Sequence, residues 1–163
     1  MISVFVSSTF RDMQGERDIL RQEVLPEIRS FCTERGENIS LVDLRWGVDT
    51  SRLSPEDQSR KVLNVCLDQI DRCKPYMIVM IGQRYGWVPE DSLIRSVVSS
   101  KNYRDDGTSR SVTALEIEYG TLSAKENADK YLFGGADRIL DQIEQEDVHV
   151  FPGRTSFSSQ NLL

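Results

Sequence analysis

Short apolar runs of strand length alternate along this chain with longer stretches in which apolar residues return at helical spacing. Ile2 to Ser7 is apolar and β-branched, the pattern of a strand buried in a parallel sheet. From Met13 to Arg35, Leu20, Val24, Ile28 and Phe31 recur as one helical stripe, and Gly36 supplies a stop. Pro26 lies inside that pattern and predicts a kink or a split. Ile39, Leu41, Val42 and Leu44 mark a second strand over Asn38 to Leu44. Ser54-Pro55-Glu56-Asp57 reads as a helix start, with Ser54 as cap, proline in the first turn and acids at the positive end. That helix runs through Val62, Cys66 and Ile70 toward Cys73, and Pro75 lies beyond its end. Tyr76 to Ile81 is the most hydrophobic run and predicts the central strand.

The later pattern is looser. Gln83 to Arg110, with its glycines and serines, reads as a long polar loop. Ser111-Val112-Thr113 opens a helix with Leu115, Tyr119 and Leu122 on its buried side. Lys130 to Phe133 predicts a short fourth strand, Ala136 to Glu146 a helix carrying Ile139, Leu140 and Ile143, and Val148 to Phe151 a short fifth strand. Strands alternating with helices predict one α/β domain over residues 1–151, followed by a Ser-rich flexible tail over 152–163. Right-handed crossovers then give a parallel sheet of about five strands with helices on both faces.

Composition narrows the function classes. Of 163 residues, 39% are hydrophobic and 28% charged, the balance of an ordinary globular domain. A net charge of -6 argues against a general grip on nucleic acid phosphates. Cys32, Cys66 and Cys73 lack a secreted-framework spacing and read as reduced thiols on apolar helix faces of a cytoplasmic protein. No apolar run has membrane-spanning length, and no leader is expected. With one histidine and no paired cysteine motif, no metal site is expected.

Polar clusters follow each of the three best strands, and a parallel sheet places all three at its carboxyl edge, where ligands of open α/β sheets bind. The first is Ser7-Ser8-Thr9-Phe10-Arg11-Asp12, the second Asp43-Leu44-Arg45-Trp46-Gly47, the third Gly82-Gln83-Arg84-Tyr85-Gly86-Trp87. Hydroxyls, arginines and rings converging there suit a nucleotide, although an arginine beside a ring is also a common structural pair. Glu116 is the candidate acid. Thr113 precedes it by three residues on the same helical face, and the start of a helix favours an ionised carboxylate. A surface acid in a first turn explains the same residue, and Glu118 is an alternative acid on a different face. The chain has no Walker-type phosphate loop, no Gly-x-Gly-x-x-Gly after the first strand and no Gly-x-Ser-x-Gly elbow.

These segments together resemble one family. They are Val4 to Met13 with Glu16-Arg17, Val42 to Val48, Cys66 to Cys73, Ile81 to Pro89 and Ser111 to Glu118. The family is the TIR-like N-terminal domain of STAND ATPases, comprising NACHT and WD-repeat proteins, telomerase-associated protein, nephrocystin and bacterial relatives. The resemblance runs from Ile2 to about Tyr119, and the residues after Lys130 depart from the family pattern. It implies a flavodoxin-like TIR fold and a role as an effector or adaptor that self-associates when a linked or partner STAND ATPase oligomerises. That ATPase is not encoded here.

The TIR superfamily divides into enzymes that cleave the nicotinamide–ribose bond of NAD and scaffolds that assemble with other TIR domains. Ser111, Thr113 and Glu116 resemble the enzymatic arrangement, with Val112 replacing a frequent tryptophan. In that reading Glu116 is catalytic and NAD is the substrate, with no bound cofactor. Ser7, Ser8, Thr9, Phe10, Arg11, Arg45, Trp46, Arg84, Tyr85, Trp87 and Thr113 line the nucleotide pocket, Trp46 on the loop after the second strand. A non-enzymatic scaffold for homotypic assembly is the alternative. A receiver domain is disfavoured because hydroxyls, not paired acids, follow the first strand.

Overall fold

A computed structural model describes residues 1–44, 47–101, 103, 107–122, 130–134 and 149–152, with Leu122 and the last two stretches described by backbone alone. The five strands are β1 (Ile2–Ser7), β2 (Ile39–Asp43), β3 (Met77–Ile81), β4 (Lys130–Gly134) and β5 (His149–Pro152). They form one sheet in the order β2-β1-β3-β4-β5, and every neighbouring pair is parallel. This is the flavodoxin-like order, whose switch point lies between β1 and β3. Register places Val6 opposite Asp43 and Ser7 opposite Val79, so the polar residues that end β1 and β2 emerge side by side.

Between β1 and β2 run α1 (Gln14–Ile19) and α2 (Leu25–Thr33), joined by a wide π-helical turn over Leu20–Val24. Pro26 sits in the first turn of α2. It has no amide hydrogen to donate, and its ring would press on the carbonyl four residues earlier; the wider turn accommodates both. α3 (Pro55–Cys73) begins as its sequence predicts, with the Ser54 hydroxyl accepting from the Asp57 amide at 3.2 Å. α5 (Val112–Ile117) is capped the same way by Ser111, whose hydroxyl accepts from the Ala114 amide at 3.2 Å, and it continues as a π turn over Glu118–Leu122.

One stretch departs from the predicted loop. Within 83–110, Asp91–Val98 forms α4, followed by a 3-10 turn at Ser99–Lys101. Leu93, Ile94, Val97 and Val98 all face inward there and are buried against the core. Polar neighbours hid a short amphipathic stripe that becomes helical because α3 offers it a surface to pack on.

The core lies on the face of the sheet covered by α3, α4 and α5. Phe5, Met77, Val79 and Ile81 meet Leu63, Cys66, Leu67 and Ile70 of α3, Ile94 and Val98 of α4 and Leu115 of α5. Each fully buried leucine or isoleucine contributes about 1.5–3 kcal/mol. Cys66 and Cys73 are buried free thiols and Cys32 a half-buried one. The β1-to-β2 crossover runs along the sheet in the opposite direction to the others, so right-handedness puts α1 and α2 on the opposite face. Among the described residues that face is thinly covered. Val24, Ile28 and Phe31, expected on a buried stripe, are exposed, and only Leu25 of α2 is buried. The expected helix over 136–146 and the tail after Pro152 lie outside the described residues. No helix among the described residues is long and apolar enough to cross a membrane.

Candidate functional site

The end of β1 delivers three hydroxyls in succession to the carboxyl edge. Ser7 is fully buried, and its Oγ donates to Glu116 Oε2 at 2.5 Å. Glu116 reaches this point because Ser111 starts α5 one turn earlier, turning positions 112, 115 and 116 inward. Only 6% of Glu116 is exposed, so the surface acid that one reading of the sequence allowed is not what forms. Burial raises its pKa above the ordinary carboxylate range, opposed by hydrogen bonds from Ser7 and Cys66 and by the charge of Arg17. The helix start alone predicts the reverse direction; loss of hydration outweighs it. Burial and the adjoining Glu116 push the Cys66 thiol well above its usual range, so it is not a nucleophile.

Arg17 holds the floor of this edge in place. It projects inward from α1, only 2% exposed, and pairs through Nη1 with Asp43 Oδ1 at the end of β2. Its Nη2 donates to the Ser8 carbonyl at 2.9 Å. One guanidinium therefore fixes the ends of two neighbouring strands. Beside it, Ser8 Oγ and Thr9 Oγ1 are buried with no hydrogen-bond partner among the described residues. Unmade hydrogen bonds of that kind cost about 1–3 kcal/mol each, which a ligand could recover.

The loop after β3 closes over these groups. Asp12 accepts from its neighbour, the Met13 amide, at 3.1 Å and from the Arg84 amide at 3.2 Å, tying the first loop to the third. Gly82 is required at that junction, because a Cβ there would fall inside the Asp12 carboxylate. Gly86 has φ +94° and packs so closely that a Cβ would lie 3.1 Å from the Thr9 methyl and 3.4 Å from Thr113 Oγ1. The Val112 amide donates to the Trp87 carbonyl at 2.9 Å, joining the same loop to α5.

The candidate residues thus separate into two layers. Ser7, Ser8, Thr9 and Glu116 are buried, with Thr113 half-buried above them. Phe10, Arg11, Arg84, Tyr85 and Trp87 form an exposed rim, Tyr85 at 56% and Trp87 at 49% exposure. Arg45 and Trp46 lie outside the described residues. Glu118 faces elsewhere, accepting from Tyr103 Oη at 2.5 Å and pairing with Arg110 Nε at 2.8 Å. Sequence reasoning did not single out Arg17 or Cys66 as parts of the site, and it placed Asp12 there only as the last member of the first polar cluster. A charge ending a half-buried strand, as Asp43 does, calls for a counter-charge, and that signal could have pointed to Arg17. Among the described residues no group of three or more metal-ligating side chains occurs.

Comparison with known proteins gives this architecture relatives. The family described as "Domain of unknown function (DUF4062)" matches residues 3–151. A TPR repeat-containing protein of Dictyostelium discoideum is 31% identical over 99% of the chain, which covers 10% of that protein. Telomerase protein component 1 of Mus musculus is 32% identical over 71% of the chain and 4% of its own length. The human NACHT and WD repeat domain-containing protein 2 is 36% identical over 52% of the chain and 5% of its own length. The chain therefore spans a tenth or less of these relatives. No solved structure matches it.

Proposed function

The chain belongs to the DUF4062 family, and on that premise we propose that it is a TIR-like effector domain of STAND-type proteins. In this reading it self-associates and, once clustered, cleaves the nicotinamide–ribose bond of NAD. The observation that carries the proposal is Glu116, buried against Ser7 at the carboxyl edge beside two hydroxyls that have no partner among the described residues. An acid with a perturbed pKa among convergent polar groups is the signature of a working site. The exposed rings of Phe10, Tyr85 and Trp87 offer stacking faces, and Arg11 and Arg84 offer charge to a diphosphate.

In this arrangement Gly86 packs on Thr9 and Thr113, and Glu116 is buried from solvent. Clustering would supply the energy that lifts this loop. Glu116, hydrated and ionised, would then stabilise positive charge developing at the anomeric carbon. The C–N bond breaks with its electron pair leaving on nicotinamide, water adds to the sugar, and one proton passes to solvent.

The test is nicotinamide release from NAD by the domain fused to an inducible dimeriser. Release on clustering that Glu116→Gln abolishes is expected. Equal release by the variant overturns the role of Glu116, and no release in the clustered state overturns the enzymatic reading. One observation favours a second reading, a non-enzymatic scaffold. The Glu116 carboxylate is already satisfied by Ser7 and Cys66, which a purely structural acid would also require.

A further inference from the structure

The chain between β3 and α4 crosses over the outer edge of the candidate site. Gly82 and Pro89 are buried near its two ends, and every residue from 83 to 88 between them is exposed. Its midpoint is closely seated. A Cβ at Gly86 would lie 3.1 Å from the Thr9 methyl, 3.4 Å from Thr113 Oγ1 and 3.6 Å from Ser111 Cβ. Thr9 lies two positions beyond Ser7 at the end of β1, and Thr113 lies three positions before Glu116 on α5. Each spacing keeps a pair on one side of its element, so the segment lies across Thr9 and Thr113 with the Ser7–Glu116 hydrogen bond behind them.

We propose that segment 83–88 is a gate, shut in this structure, which lifts as one unit to let a ligand reach Thr9 and the Ser7–Glu116 pair. The proposal rests on the reading of this edge as an NAD site and names what controls entry to it.

Two hydrogen bonds pin the gate, one on each side of Gly86. Asp12 Oδ2 accepts from the Arg84 amide at 3.2 Å, and the Trp87 carbonyl accepts from the Val112 amide at 2.9 Å. Lifting hands these groups to water, an exchange of one set of hydrogen bonds for another. The same movement uncovers Thr9 Oγ1, which is buried with no partner among the described residues, and lets it form a bond it lacks. The side chains of Tyr85, Trp87 and Val88 already stand in solvent, so the segment itself gives up little apolar burial. The shut and lifted states are therefore close in free energy. Both ends stay fixed: Ile81 of β3 and Leu93 and Ile94 of α4 belong to the core, and Asp91 Oδ1 accepts from the Ser109 amide at 2.8 Å. Movement is confined to the residues between them.

The test removes each pin and reads the other by native-state hydrogen exchange on the full chain. Asp12→Ala deletes the acceptor at Arg84. Val112→Pro deletes the donor to Trp87, and proline suits this position because Val112 opens α5 and Ser111 before it is extended. Asp12→Ala should speed exchange at the Val112 amide, and Val112→Pro should speed it at the Arg84 amide, each by at least about tenfold. The Phe5 amide, bonded to the Tyr76 carbonyl at 3.1 Å, should keep its rate and so report that a variant is folded; should one variant unfold, the other decides. A wild-type rate at the far pin in a folded variant overturns the gate. Calorimetry with NAD gives the second readout. A less stable shut state should tighten NAD binding by the same factor as it speeds exchange. Faster exchange with NAD bound equally by wild type and variant also overturns the gate, because the segment then moves without controlling entry. Coupled exchange with no binding of NAD by any of the chains overturns the NAD reading and supports the lifting segment.

Discussion

Replacing Arg17 tests whether one buried guanidinium organises the candidate site. Its side chain is 1% exposed and that of its partner Asp43 18%, so removing it strands a largely buried carboxylate and the Ser8 carbonyl together. Breaking such a pair costs about 3–5 kcal/mol. In a domain of this size that corresponds to a fall in melting temperature of about 6–20 °C. The attraction itself need not be large, because most of the loss is the hydration that Asp43 forfeits and cannot recover. Asp43→Asn, which leaves a neutral group in place, should therefore rescue much of the damage in an Arg17→Met background. Urea denaturation of the wild type, both single variants and the double variant measures this, with an expected coupling of about 1–3 kcal/mol. If Arg17→Met loses under about 1 kcal/mol, or the two changes simply add, the guanidinium is not the tie between β1 and β2.

Two further outcomes follow from the same edge. Because burial holds the proton on Glu116, the folded chain binds more protons than the unfolded one between the ordinary glutamate pKa, about 4.3, and the raised value. Stability should fall as pH rises through that window, and Glu116→Gln should flatten the slope in urea midpoints taken against pH; an unchanged slope refutes the assignment. Gly82→Ala forces a Cβ onto the Asp12 carboxylate, so it should cost about 1–3 kcal/mol and speed hydrogen exchange at the Arg84 amide that Asp12 holds. Unchanged exchange there would show that the two loops are not joined through Asp12.

The alternation of runs determined the class of fold, because a parallel strand buried on both faces leaves a continuous apolar signature. The same holds for the capped starts of α3 and α5, where a serine hydroxyl, followed in α3 by a proline, specifies the turn locally. The three polar clusters were also legible, since the carboxyl edge of a parallel sheet gathers whatever follows each strand. Local pattern failed where the deciding partner is distant. α4 is helical because the core shelters four of its residues, and the stripe of α1 and α2 is exposed because few elements among the described residues cover that face. Glu116 is the sharpest case. Its place near a helix start favours an ionised, solvated acid, yet it is packed against Ser7, 109 positions earlier, and Cys66, and burial raises its pKa despite the opposing hydrogen bonds from both. Burial is a property of packing between segments far apart in the chain, so only the tertiary structure decided which of the candidate residues became floor and which became rim.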